Sequence, residues 1–237
     1  MTTRLALKNV GGGLALGTGL AALGYAGLVA YHRAHYGTAA RPAADASRLL
    51  DRFIPAPEVV EHHRIRIGAP AEVVLATARS LELLKSPLVR AIFKTRAFAL
   101  GARPDERRLP PGLIPQMQSI GWVVLAERAG LEIVLGAVTQ PWDAAPTFRS
   151  ISAGEFTAFR EPGYVKIAWT LRADPAGDHE SIFHTETRVA TTDRETRKRF
   201  LRYWSYVAPG VELIRLAMLR PLKKASEKAA RLGSVAD

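Results

Sequence analysis

Hydrophobic positions along this 237-residue chain follow three different rules. From Gly11 to Tyr31 there is no charged residue at all. From Glu58 to Thr191, apolar and polar residues mostly alternate in stretches broken by glycine and proline. From Asp193 onward, apolar residues return every third or fourth position. The first rule predicts a bilayer-spanning helix, the second predicts strands, and the third predicts one long amphipathic helix.

The alternating region divides into elements. Ser47 to Phe53 reads as a helical turn closed by Ile54–Pro55–Ala56–Pro57. Glu58 to Ile67 reads as a strand, with Val60, His62, Arg64 and Arg66 on one face and Val59, Glu61, His63, Ile65 and Ile67 on the other. Pro70 suits the start of a helix reaching about Leu84, and Ser86–Pro87 starts a second short helix. Arg103 to Pro115 is rich in charge and proline and reads as a loop. Trp122–Glu127 and Leu131–Val138 flank Ala129–Gly130 as a hairpin, and Thr147–Ile151 suits a further strand. Ser152 and Glu155 form a capping-box pattern for a short helix to Phe159. Tyr164–Ala173 and Ser181–Thr191 are two strong strands around a turn at Asp174–Asp178. In the final stretch Phe200, Trp204, Val207, Val211, Ile214 and Met218 share one helix face that Asp193 can cap, with kinks or breaks expected at Pro209 and Pro221 and fraying from Glu227.

The uncharged run is 21 residues long. At about 1.5 Å per residue, a helix of that length spans the ~30 Å hydrocarbon core of a bilayer. Arg4 and Lys8 precede it, and His32, Arg33 and His35 follow it. A cleaved signal peptide is an alternative, since small residues at Ala44 and Ala46 could form a cleavage site, although the run is long for that role. A dinucleotide-binding loop fits poorly, because no strand precedes the glycines and no acidic residue follows at the required distance. A buried core helix is the remaining alternative. Gly13, Gly17 and Ala21 are spaced by four, which offers a close-packing face for homodimerisation through the anchor helix. The expected organisation is a tail and anchor over 1–36, a linker over 37–56, one domain over 57–231 and a tail over 232–237. Basic residues after the anchor favour a single-pass topology with the domain in the cytoplasm.

Charge changes this picture in one respect. The net charge is +11, but residues 42–192 carry only +1, while residues 193–236 carry +7. Arg202, Arg220, Lys223 and Lys224 on the last helix are therefore candidates for contact with an anionic membrane surface. No zinc-finger spacing or aromatic RNA-binding signature is found, so nucleic acid is not an expected partner. The chain has no cysteine, which removes disulfides and thiolate metal sites. No metal and no cofactor is expected.

The order of elements is an opening strand, two short helices, an antiparallel run and a long closing helix. With the segments HHRIRIGAPAEVVLATA (62–78), GYVKIAWTLR (163–172) and RYWSYVAPGVELIRLAMLRPL (202–222), it resembles the START-like superfamily over about residues 57–225. That group holds birch pollen allergen-like proteins, polyketide cyclases, lipid-transfer START domains and ubiquinone-binding chaperones. The resemblance implies an α+β helix-grip fold, in which a curved antiparallel sheet wraps the last helix around an apolar cavity. Trp122, Trp142, Trp169, Trp204, Val207, Val211 and Ile214 are the candidate ligand-lining residues on that reading.

Enzymatic signals are thin. His62 and His63 are neighbours on a strand, so they face opposite sides and cannot share one metal. His184, Glu186 and Arg188 share a face, and a His–Glu pair could act as base and orienter, although a solvated row of charges explains them more simply. No residue is assigned as catalytic. The expected function is a membrane-tethered binding module for an apolar small molecule, such as a lipid, an isoprenoid quinone or a polyketide-like compound. The alternatives are an enzyme of cyclase or hydrolase type acting on such a molecule, and a structural scaffold without a ligand.

Overall fold

The structure, a computed structural model, describes residue 27 and residues 45–102 and 108–233. Apart from Gly27, the expected anchor over 11–31 lies outside the described residues. No helix among the described residues is long and apolar enough to cross a membrane.

The described chain begins with α1 (Arg48–Phe53), then β1 (Val59–Ile67) and α2 (Ala71–Ser80). A 3-10 turn at Leu83–Lys85 leads into α3 (Pro87–Ala99). Next come α4 (Leu113–Ser119), β2 (Val123–Arg128), β3 (Glu132–Thr139) and β4 (Phe148–Arg149). The order ends with α5 (Ala153–Ala158), β5 (Val165–Gly177), β6 (Glu180–Thr191) and α6 (Arg194–Gly233). The strands form one six-stranded antiparallel sheet in the order β1-β6-β5-β3-β2, with β4 added to β3.

Local chemistry explains most boundaries. Ser47 caps α1 by accepting from Leu50 N, and Ser152 with Glu155 forms the full capping box of α5. Gly130 takes φ +68° in the β2–β3 turn, a conformation that favours glycine. Gly136 admits Leu125 against β3, since a Cβ there would lie 2.4 Å from Leu125 Cδ1. Asp193 starts α6 by accepting from Thr196 N at 2.8 Å.

The long closing helix departs from expectation at two points. It runs as one α-helix through Pro209 and Pro221. An interior proline costs about 3 kcal/mol, but burying one large apolar side chain returns about 1.5–3 kcal/mol. α6 buries Phe200, Trp204, Ile214, Met218, Leu219 and Leu222, so packing outweighs both prolines. Its C-terminal end is also fastened rather than frayed. Glu227 Oε1 accepts from Gly68 N at 3.2 Å, and Lys223 Nζ donates to Arg66 O at 2.8 Å. A third departure is α4, which occupies part of the stretch read as loop.

Both faces of the sheet are covered. One face packs on α2 and α6 through Ile67, Ile133, Leu135, Trp169, Leu171 and Phe183. The other packs on α1 and α5 through Leu50, Phe53, Ile54, Val134, Val138, Phe156 and Ala168. That is why every residue of β3 is buried and its sequence is an apolar run rather than an alternation. It also means that the stretch read as linker is, from Asp45 on, part of the packed domain. An antiparallel sheet held against a long C-terminal helix defines a helix-grip fold.

Candidate functional site: the grip between sheet and helix

The sheet face that meets α6 has an apolar block at each end and polar groups between them. Along β1 the inward residues run Val59, Glu61, His63, Ile65 and Ile67. Opposite them on β6, Thr187 pairs with Glu61 and Thr185 with His63, between apolar Val189 and Phe183. On β5, Trp169 pairs with Thr187. One apolar block gathers Val59, Val165, Val189, Phe200 and Trp204. The other gathers Ile67, Leu135, Leu171, Phe183, Ile214 and Met218.

Arg215 of α6 reaches into the polar belt. Its guanidinium carbon lies 4.0 Å from the centre of the Trp169 ring, a cation–π contact. Its Nη2 donates to Thr187 Oγ1 at 2.9 Å. Trp169 Nε1 in turn donates to Thr185 Oγ1 at 2.7 Å, and the Trp122 ring stands at 80° to Trp169 at 6.2 Å. Glu61 Oε2 lies 3.9 Å from His63 Nε2. Arg215 Nε and His63 Nε2 are both sealed from solvent and lack a hydrogen-bond partner among the described residues. Burial, and next the charge of Arg215, hold the His63 imidazole below its ordinary pKa, so the ring is neutral at pH 7. Burial pulls the Arg215 guanidinium down to about 10, against the opposing pull of Glu61, so it keeps its charge.

The structure divides the expected lining residues between two blocks. Trp169 and Ile214 are buried in the block around Leu171, with Trp122 packed on it. Trp204 is buried in the block around Val59, with Trp142, Val207 and Val211 packed on it. Trp204 stacks at a tilt on Phe200 at 5.7 Å, and the Arg199 guanidinium lies 4.6 Å over the Trp142 ring. Arg215, the charged centre of the belt, was not among the expected site residues. Its signal was present in the spacing: it follows Val211 by four and precedes Met218 by three, on the same helix stripe. Of the expected membrane-facing residues, Arg202, Arg220 and Lys224 are exposed, while Lys223 is half-buried and engaged with Arg66 O and Glu227.

The expectation of a solvated row at His184, Glu186 and Arg188 is overturned. All three are buried, on the sheet face away from α6. The Arg188 guanidinium donates to Glu186 Oε1 at 2.7 Å, to Asp51 Oδ1 at 2.6 Å and to Ile54 O at 3.1 Å. Glu186 Oε2 also accepts from Ser47 N at 3.2 Å, and Ser47 Oγ donates to the buried Glu132. The row was read as solvated because the segment carrying Ser47, Asp51 and Ile54 was taken for a linker; that segment is what buries it. Glu186 is therefore locked in an ion pair, and neither it nor His184 faces the belt around Trp169.

No family model matches the chain, and no curated protein matches it. Solved structures with a similar arrangement include a conserved protein from Geobacillus kaustophilus, at 12% identity and TM-score 0.32, over 72% of this chain and 97% of that one. They also include the Zhui aromatase/cyclase from Streptomyces sp. R1128, at 15% identity and TM-score 0.29, over 72% and 94%. A third is norcoclaurine synthase from Thalictrum flavum, at 11% identity and TM-score 0.27, over 81% and 96%. Likeness at this level says nothing about ligand or reaction.

Proposed function

We propose that this protein is a membrane-tethered binding module for an apolar small molecule carrying one polar or anionic group. The apolar body lies between the sheet and α6, and Arg215 receives the polar group. The observation that carries this reading is Arg215 itself: a charged side chain between two apolar blocks, stacked on Trp169, with a buried Nε that has no acceptor among the described residues. An unsatisfied buried donor costs about 1–3 kcal/mol, and a ligand carbonyl or carboxylate that accepts from it recovers that cost. Few convergent polar groups in an apolar setting are the usual form of a small-molecule site. The tether rests on the uncharged run at 11–31. Exposed Phe93, Phe98, Leu213 and Leu216, with exposed Arg90, Lys94, Arg202 and Arg220, are consistent with the same bilayer lying against α3 and α6.

A second reading draws on one observation. His63 is neutral, and Glu61 Oε2 stands 3.9 Å from its Nε2, beyond a hydrogen bond but near enough to become the orienting carboxylate of a base if the two close on a bound molecule. On that reading the protein is an enzyme acting on the bound molecule.

Titration of the full chain in detergent with a long-chain fatty acid and with an isoprenoid quinone, followed by tryptophan fluorescence, tests the binding function. Saturable quenching by one of them is expected, because Trp169 stacks on Arg215 and Trp122 packs edge-on to Trp169. Linear, non-saturating quenching by both would remove the proposal for these two ligand classes.

A further inference from the structure

On the sheet face away from the grip, two histidine rings from different strands meet the first residue of the packed N-terminal segment. His62 on β1 and His184 on β6 stack at 15° with their centres 5.5 Å apart. His62 Nε2 lies 3.2 Å from His184 Nδ1. Asp45 Oδ2 lies 3.8 Å from the same His184 Nδ1, and the three atoms all fall within 4.8 Å of one another. We propose that His62 Nε2, His184 Nδ1 and Asp45 Oδ2 bind one divalent transition-metal ion of the zinc type.

Bonds of about 2.0–2.1 Å to nitrogen and carboxylate oxygen place tetrahedral ligands about 3.3 Å apart. The His62–His184 separation is close to that value, while Asp45 Oδ2 stands about half an ångström too far from His184 Nδ1 and within 4.8 Å of His62 Nε2, so the carboxylate must move in by a side-chain rotation. Behind His184, Nε2 stands 3.3 Å from Asp174 Oδ2, and Arg172 holds that carboxylate at 3.0 Å. A carboxylate on one ring nitrogen fixes the tautomer and leaves the other nitrogen as a lone pair, the usual outer-shell support of a metal-bound histidine. A hydrogen bond between the rings uses the same two nitrogens; the Asp45 oxygen beside them and the Asp174 carboxylate behind are what a metal site adds.

Two imidazoles and a carboxylate suit zinc, nickel, copper or cobalt better than magnesium or calcium. Three protein ligands leave one position for water. Arg64 Nη1 now holds Asp45 Oδ2 at 2.8 Å and must yield it to the ion. The ion would tie the N-terminal segment at Asp45 to β1 and β6, at the end of the domain nearest the expected anchor in sequence.

Calorimetric titration of the EDTA-stripped full chain with zinc, and absorbance titration with cobalt, test this. One equivalent is expected to bind. His62→Gln is expected to weaken affinity by at least about 100-fold and Asp174→Asn by about 10–100-fold, as loss of an outer-shell partner does. Arg64→Ala is expected to tighten binding by releasing Asp45, and His179→Gln, at the exposed β5–β6 turn, is expected to leave it unchanged. Zinc is expected to slow tryptic cleavage at Arg48 and Arg52. Absence of saturable binding at millimolar zinc, or the same affinity in His62→Gln, overturns the proposal. His62 is only half-buried, so that variant decides the matter even if His184→Gln does not fold.

Discussion

The two faces of the sheet handle buried charge in opposite ways. Behind the sheet, Arg188 is fully buried and its guanidinium meets two carboxylates and two backbone carbonyls. In the grip, Arg215 meets a hydroxyl and an aromatic ring, and its Nε has no acceptor among the described residues. A buried ion pair in which all three guanidinium nitrogens are hydrogen-bonded is a clamp. A half-buried cation whose sealed Nε has no acceptor among the described residues leaves a donor for something else to meet. The first holds the N-terminal segment to the sheet, and the second is the group on which the proposed ligand site is built.

The largest expected effect comes from breaking the clamp. Arg188→Met leaves Glu186 buried without its partner and is expected to cost about 3–5 kcal/mol in urea denaturation. Adding Glu186→Leu is expected to restore most of that loss, since replacing a whole buried pair is often neutral. Arg215→Met should behave differently. It removes a cation that no buried carboxylate depends on through a hydrogen bond, so stability is expected to change by less than about 1 kcal/mol while ligand binding is lost. A loss as large as that of Arg188→Met would make the two faces alike and remove the distinction.

A smaller effect lies in the pH dependence, and it separates the faces again. His63, in the grip, has its pKa lowered in the folded state, first by burial. The unfolded chain then binds more protons below the ordinary value of about 6.5, so stability falls as pH drops through that value toward the folded one. Lys166, behind the sheet, has its pKa pulled down to about 8 by burial and next by Arg160. Between about pH 8 and the ordinary lysine value near 10.4, the unfolded chain again holds more protons, so stability rises with pH. His63→Gln is expected to flatten the acid side of a thermal-melt series and Lys166→Met the alkaline side. A His63→Gln profile that matches the parent on the acid side would contradict the burial of a neutral ring in the grip.

The sequence made one face legible and hid the other. The strand alternation of residues 58–67 placed Glu61 and His63 together correctly, and the three-and-four spacing of α6 placed Trp204, Val207, Val211 and Ile214 on its inner side. Those patterns depend on one repeating contact surface, which periodicity reports directly. Arg215 lay on that stripe but entered only the charge total of residues 193–236, because spacing cannot tell a charge that faces solvent from one that stacks on Trp169. The clamp was hidden for a different reason. Its parts come from positions far apart in the chain, Ser47 and Asp51 with Glu132, Glu186 and Arg188, and only the fold shows that the supposed linker covers them. The same remoteness concealed His62 with His184: the adjacent histidines drew attention, while the ring that meets His62 stands on another strand.

The most direct test of the central claim is mass spectrometry of organic extracts from the purified full chain beside its Val211→Trp variant. Val211 is half-buried on α6, packed on the block that holds Trp204 and one turn before Arg215. If a ligand lies in the grip, the parent should yield one apolar compound near one equivalent, and the variant should lose it while keeping its melting temperature. If the same stretch is close-packed core, the added ring should overpack it at a cost of about 1–3 kcal/mol. A parent extract with no enriched compound, together with a destabilised variant, would contradict the account.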